Sequence, residues 1–411
     1  MLGSVLGFVR RGFRYLLLLA VIAGAGYVAA PALSLQPYMP EPVDFEQPLA
    51  GVARVAPEVV TARASGERHG EAPVSHRSRV IDAPQRFDLV GLAGELRPLE
   101  LRARESGGEW SDWIETANGD PAYVGGADEV QLRTRGWRPS GTLHYVNVSG
   151  TTSGLDTALN GARKAINAAF VSAAGVLAPE AQAAPARPAI VKRSEWGATG
   201  GGCAPRERPS LGRVKAATIH HTVTSAKYTP EEAPGIVLGI CRYHRNANGW
   251  NDIGYNALVD QYGTVYAGRA GGLHRAVIGA HAQGFNGLTT GVAALGTHTK
   301  APISPAAMEG FVSFLAWKLS AHGLRARGRT TMRSAGGSAS RYPAGRRVRK
   351  NRILGHGKLG LTACPGDALA AQIAELRRQT QARIDGAKPA PPPPPPPLPP
   401  PDDGTGAVVP R

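Results

Sequence analysis

His356 and Cys364 stand eight positions apart in the loop Gly355-His356-Gly357-Lys358-Leu359-Gly360-Leu361-Thr362-Ala363-Cys364-Pro365-Gly366. An imidazole and a thiolate are both ligands that Zn²⁺ favours, and one further histidine would complete a site with three protein ligands and a fourth position for water. Such a site hydrolyses: a bound water acquires a pKa of about 7 and the substrate carbonyl is polarised. The run Val214-Lys215-Ala216-Ala217-Thr218-Ile219-His220-His221-Thr222 reads as a short buried strand ending in a histidine pair. Ligands of open α/β sheets gather at the carboxyl ends of strands, so this pair is the natural source of the third ligand. Adjacent strand residues face opposite ways, and periodicity alone does not choose between His220 and His221.

The elements that must position these groups alternate between strand and helix. A helix is expected over 230–247, with Ile236, Leu238, Ile240 and Tyr243 on or near one side. Segments 253–259 and 263–267 read as a hairpin around Asp260-Gln261-Tyr262-Gly263. A longer helix over 304–323 takes Ser304 as its N-cap, and 366–384 forms a closing helix. A mixed central sheet with flanking helices follows.

Six segments in this order resemble the zinc-dependent N-acetylmuramoyl-L-alanine amidases of the peptidoglycan recognition protein and amidase type 2 family, in its secreted actinobacterial form. They are Arg193-Ser194-Glu195-Trp196-Gly197-Ala198, Ile219-His220-His221-Thr222, Gly249 to Asn256, Gly279-Ala280-His281, Ser340 to Gly345, and Leu354-Gly355-His356 through Cys364-Pro365-Gly366. The resemblance runs from about Val191 to Ile384 and implies the same mixed-sheet fold. It implies hydrolysis of the amide between N-acetylmuramic acid and L-alanine in peptidoglycan, with non-catalytic peptidoglycan recognition as the alternative. It selects His220, with His356 and Cys364, as the Zn²⁺ ligands, and leaves His221 as a packed or hydrogen-bonded neighbour. Tyr255 matches a tyrosine beside the metal-bound water, where it would position that water or stabilise the oxyanion. Thr362 matches a position that would hold the substrate carbonyl or the water, against a plain backbone-bonded loop hydroxyl. His281 is expected to contact substrate or relay protons, against a structural role. His244, Trp250 and Asn286 are candidates for the muropeptide groove. Gly357 and Lys358 depart from the charged residue that relatives often carry after the second histidine, which puts the surroundings of that ligand in doubt.

With Cys364 taken as a metal thiolate, Cys203 and Cys241 remain of three cysteines, and an exported protein sits where disulfides persist; a bridge between them is expected, against two buried thiols. Export is read from the N-terminus: Arg10, Arg11 and Arg14 precede an apolar run from Tyr15 to Ala30 and small residues about Ala29-Ala30-Pro31-Ala32. Segment 1–36 is thus a signal peptide or a membrane anchor, the general route being expected over the twin-arginine one. A secreted or wall-associated monomer follows, touching a membrane only if that segment is retained.

The 411 residues leave room for two or three domains, and 42% hydrophobic content suffices for a core in each. Segment 37–85 reads as a polar spacer, and 86–150, with short alternating runs between Gly, Pro and Asp, as a small all-β sandwich-like domain. In it Trp110 and Trp113 are expected to pack rather than to bind sugar. Segment 151–188 reads as a helical and Ala/Pro-rich linker, 189–386 as the amidase-like domain, and 387–411 as a proline-rich tail. The formal charge of +16 favours an anionic partner. Peptidoglycan and anionic wall polymers are expected, and nucleic acid is not, since no aromatic-interleaved basic motif occurs. Ten Arg and Lys with no acidic residue between 325 and 352 are expected beside the cleft.

Overall fold

A computed structural model describes residues 42–58, 73–116, 119–150, 185–200, 202–225 and 228–386. The expected signal or anchor, most of the 151–188 linker and the proline-rich tail lie outside the described residues. No described helix is long and apolar enough to cross a membrane.

The N-terminal half is one antiparallel sheet of eight strands: β1 (Val43–Pro48), β2 (Val52–Glu58), β3 (Val74–Ser78), β4 (Ile81–Leu92), β5 (Leu99–Arg104), β6 (Ile114–Thr116), β7 (Ala122–Arg135) and β8 (Thr142–Asn147). The order is β1-β8-β4-β7-β3-β2, with β5 joining β7 and β6 joining β5. The segment expected as a spacer therefore contributes β1, β2, β3 and the start of β4. β1 and β2 end the main strand order, and such edges tolerate the Glu, Gln and Arg that made this segment read as unstructured. The expected sandwich is a single continuous sheet. Trp110 and Trp113 lie against guanidiniums of its surface, Arg102 at 4.6 Å from both rings.

Period-two alternation sorts β8 into two faces. Leu143 and Tyr145 join the sheet's own core with Phe87, Leu101 and Leu132, whereas Val146 faces the second half of the chain. In β4 the register shifts between Phe87 and Leu89, so that Leu89 also turns to that side.

The second half holds β9 (Ile190–Val191), β10 (Ala216–His221), α1 (Ala233–Asn246), β11 (Ala257–Val259), β12 (Val265–Ala267), β13 (Thr289–Ala294), α2 (Pro305–Ala321), β14 (Arg329–Arg333), β15 (Arg347–Asn351), β16 (Ile353–Gly355) and α3 (Asp367–Gly386). Six strands form a mixed sheet in the order β16-β10-β13-β11-β12-β9, parallel throughout except where β11 meets β12. The Ser304 hydroxyl accepts the Ala307 N–H and caps α2, as its sequence signature predicts.

Helices cover both faces. Ala217 and Ile219 of β10, with Val292 and Ala294 of β13, pack beneath α2 and α3 against Phe311, Phe314 and Leu369. Ala293 and Leu258 point the other way, to α1 through Ile236 and Ile240. By the same alternation Thr218 and His220 of β10 look toward the α1 side.

Helix α1 also carries the other half of the chain. A Cβ on Gly239 would lie 2.5 Å from Leu89 Cδ1, and one on Gly91 of β4 would lie 2.2 Å from the Tyr243 hydroxyl oxygen, so bare glycines let the helix and sheet approach. Arg242 adds an ion pair to Asp44 at 2.7 Å. A disulfide joins Cys203 to Cys241 on this helix.

Candidate metal centre

The carboxyl ends of β10 and β16 meet the loop that follows β16, and three buried ligand atoms converge there. One atom each from His220, His356 and Cys364 lies within 4.8 Å of the other two. The His220 and His356 ring centroids are 4.5 Å apart, and Cys364 Sγ is 3.6 Å from His220 Nδ1. Two imidazoles and one sulfur, with no carboxylate among them, are a borderline-soft donor set that suits Zn²⁺. Burial, before the neighbouring histidines, holds His220 well below its ordinary pKa, and burial lowers His356 to about 3. Both rings are therefore neutral and hold a lone pair at neutral pH, the state that metal binding needs.

Local bonds shape the ligand loop. Gly357 N–H donates to Cys364 O at 2.7 Å, and Cys364 N–H to Thr362 Oγ1 at 3.1 Å. The hydroxyl of Thr362 thus makes the backbone bond that was the plain alternative for it. Outside the loop, Arg341 Nε donates to Gly357 O at 3.0 Å.

His281 lies behind His220. Its Nδ1 is 3.0 Å from His220 Nε2, which leaves His220 Nδ1 as the atom on the Cys364 side. A Cβ on Gly291 of β13 would meet the His281 ring at 2.4 Å, so this glycine makes room for it. Burial lowers the His281 pKa to about 3. At this distance His281 can orient the His220 imidazole. His221 faces away, its Nδ1 accepting the His298 N–H at 3.1 Å.

Tyr255 is buried with its ring 5.2 Å from that of His220. Its hydroxyl donates to Asp120 Oδ1 at 2.7 Å, a carboxylate from the turn between β6 and β7 of the other half. Burial, then the charge of Asp120, raises its pKa well above the ordinary value, so the phenol stays protonated. Asp120 was not anticipated; Gly119-Asp120-Pro121 reads as an ordinary turn, and its partners are 124 and 135 positions away.

Two of the expected groove residues hydrogen-bond within the protein. His244 is fully buried, 4.7 Å from the Trp250 ring, with Nδ1 accepting the Gly254 N–H and Nε2 3.1 Å from Asp120 Oδ1. Asn286 Oδ1 accepts the N–H groups of His281 and Ala282 at 2.9 and 2.7 Å, and so holds the His281 loop. Trp250 is half-buried beside Tyr255's neighbour His244. Half of the basic run lies in the two strands of the β14–β15 hairpin, and Arg341 lies in the loop between them. The β14–β15 hairpin borders two cavities, of about 480 and 410 Å³, that share Lys215 at the start of β10. His220 lies five residues further along that strand, roughly 16 Å away. The connecting loop meets the ligand loop, where Ala339 O accepts the Leu361 N–H at 2.9 Å and the Arg341 N–H donates to Leu359 O at 2.8 Å.

The family described as "N-acetylmuramoyl-L-alanine amidase" matches residues 210–367. The human N-acetylmuramoyl-L-alanine amidase is 34% identical over 187 residues, 44% of this chain and 27% of that protein. Peptidoglycan-recognition protein SA of Drosophila melanogaster is 34% identical over 155 residues, 36% of this chain and 68% of its own. The chain belongs to this family of N-acetylmuramoyl-L-alanine amidases and peptidoglycan-recognition proteins. Among solved structures, peptidoglycan recognition protein-LE in complex with tracheal cytotoxin aligns at 24% identity over 46% of this chain and 93% of that one, with a TM-score of 0.36. The Clostridium intestinale amidase LysCS aligns at 18% identity over 47% and 97%, with a TM-score of 0.32.

Proposed function

We propose that the chain is an exported, zinc-dependent amidase that cleaves the amide between N-acetylmuramic acid and the L-alanine of the peptidoglycan stem. The observation that carries this reading is the buried convergence of His220, His356 and Cys364. Those three residues would hold Zn²⁺, which when bound supplies an ionisable water and a polarised carbonyl. Among the chain's own groups, His281 orients the His220 ring, Thr362 and Gly357 hold Cys364 in register, and Tyr255 positions the attacking water. The family membership supports peptidoglycan as ligand. The rival reading, recognition without hydrolysis, has no use for a buried thiol between two neutral imidazoles.

Anionic wall polymers are proposed as a second partner, held by the basic hairpin and acting away from the metal centre. The expected location is outside the membrane, at the wall.

Digestion of purified peptidoglycan followed by mass analysis of the soluble products tests the reading. Stem peptides with a free L-alanine amine and intact glycan strands are expected, and none from Cys364→Ser. Wall binding without release of such peptides, or products cut elsewhere, would overturn it.

A further inference from the structure

A hydroxyl has one hydrogen to donate and two lone pairs with which to accept. Tyr255 gives its hydrogen to Asp120 at 2.7 Å, and the same carboxylate oxygen lies 3.1 Å from His244 Nε2. The Gly254 N–H occupies His244 Nδ1, so the ring carries its own hydrogen on Nε2 and donates it to Asp120. Two buried donors therefore converge on one carboxylate, and neither has a choice of direction.

Asp120 is held in place by contacts that cross between the two halves of the chain. Asn248 Nδ2 donates to the neighbouring Gly119 O at 2.6 Å, Arg242 of α1 pairs with Asp44 of β1 at 2.7 Å, and Leu89 closes on Gly239. The carboxylate side chain is only 15% exposed.

We propose that Asp120, supplied by the antiparallel sheet, is a positioning residue of the hydrolytic centre: it fixes the Tyr255 hydroxyl so that only its lone pairs face the metal ligands. This rests on the amidase reading and deepens it. Of the two roles open to Tyr255, it selects one. A tyrosine whose hydrogen is committed to a carboxylate accepts a hydrogen bond from the attacking water, and it has no hydrogen left for an oxyanion. The antiparallel half is then part of the active site rather than a separate wall-binding module.

The test uses the full chain labelled with ¹³C at tyrosine Cζ, the Tyr255 signal being assigned by its loss in Tyr255→Phe. In metal-free protein the signal should move in Asp120→Ala and, by less, in Asp120→Asn, which keeps an acceptor oxygen. On a soluble muropeptide Asp120→Ala should lower kcat by about 10-fold or more, the scale of one charge-assisted hydrogen bond, with KM within about twofold. Asp120→Asn should recover part of that loss. In a Tyr255→Phe background Asp120→Ala should cost no further activity. An unmoved Cζ signal, an undiminished kcat, or an equal loss with and without the Tyr255 hydroxyl would each overturn the positioning role. A wild-type chain that hydrolyses nothing, while its Cζ signal still responds to Asp120, would instead locate the failure in the amidase reading and remove the role with it.

Discussion

The two sheets of this protein solve burial differently. The mixed sheet is covered on both faces, by α2 and α3 on one side and α1 on the other, so its strands are short and almost wholly buried. Its histidine side chains stand at the carboxyl end of β10, where His220 and the loop bearing Cys364 sit. The antiparallel sheet buries one face in its own core and turns Leu89, His144 and Val146 toward α1. Its chemistry is at its seam, in Asp44, Asp120 and His144. Fully covered strands favour a dry centre where neutral imidazoles and a thiolate can meet, whereas a half-covered sheet can lend charged groups to its neighbour.

The seam is where this contrast can be broken. The larger effect is expected from Gly91→Ala, which places a methyl 2.2 Å from the hydroxyl oxygen and 2.6 Å from Cζ of the buried Tyr243 ring in the middle of the contact. Overpacking of this kind costs about 1–3 kcal/mol, and it should lower the melting temperature of the full chain and reduce turnover through Asp120 while leaving metal content intact. Chemical denaturation and metal analysis on the same preparation check it. Unchanged stability would mean that helix and sheet separate freely, and that the antiparallel half works alone.

A smaller effect is expected from pH. Burial pushes the His144 pKa down, but the carboxylates of Asp44 and Glu46, at 3.7 and 3.0 Å, outweigh it and the net shift is upward. A raised pKa means that the folded state holds the proton more tightly. The stabilisation is full below the ordinary histidine pKa of about 6.5 and fades as pH rises through the folded value. Melting temperatures should therefore fall from mildly acidic to mildly alkaline pH by more in the wild type than in His144→Gln, whose amide does not titrate there. Identical pH profiles would remove His144 from the seam's energetics.

The same contrast governs what the residues disclosed in advance. Strand β10 was legible because a strand covered on both faces reads as a continuous apolar run, and α2 because Ser304 and Pro305 mark its start. The turn after β11 was legible through Asp260, whose Oδ1 accepts the N–H groups of Tyr262 and Thr264. Strands β1 to β3 were not, since edge and half-exposed positions carry Arg, Glu, His and Ser that blur alternation. The triad emerged from residue type and order together with family resemblance. The resemblance carried Tyr255 to the vicinity of the metal ligands, but it had no means of reaching Asp120, whose place depends on how an unrelated sheet docks against α1. The partner of His244 was hidden for the same reason: it lies across the seam.

X-ray absorption at the zinc edge of the purified full chain tests the metal centre most directly. One sulfur at about 2.3 Å and two imidazole nitrogens at about 2.0–2.1 Å are expected, with one further light atom completing four-coordination. The sulfur shell should vanish in Cys364→Ser. Zinc bound without sulfur, or peptidoglycan amide hydrolysis by protein that holds no metal, would contradict the assignment of His220, His356 and Cys364 as the hydrolytic centre.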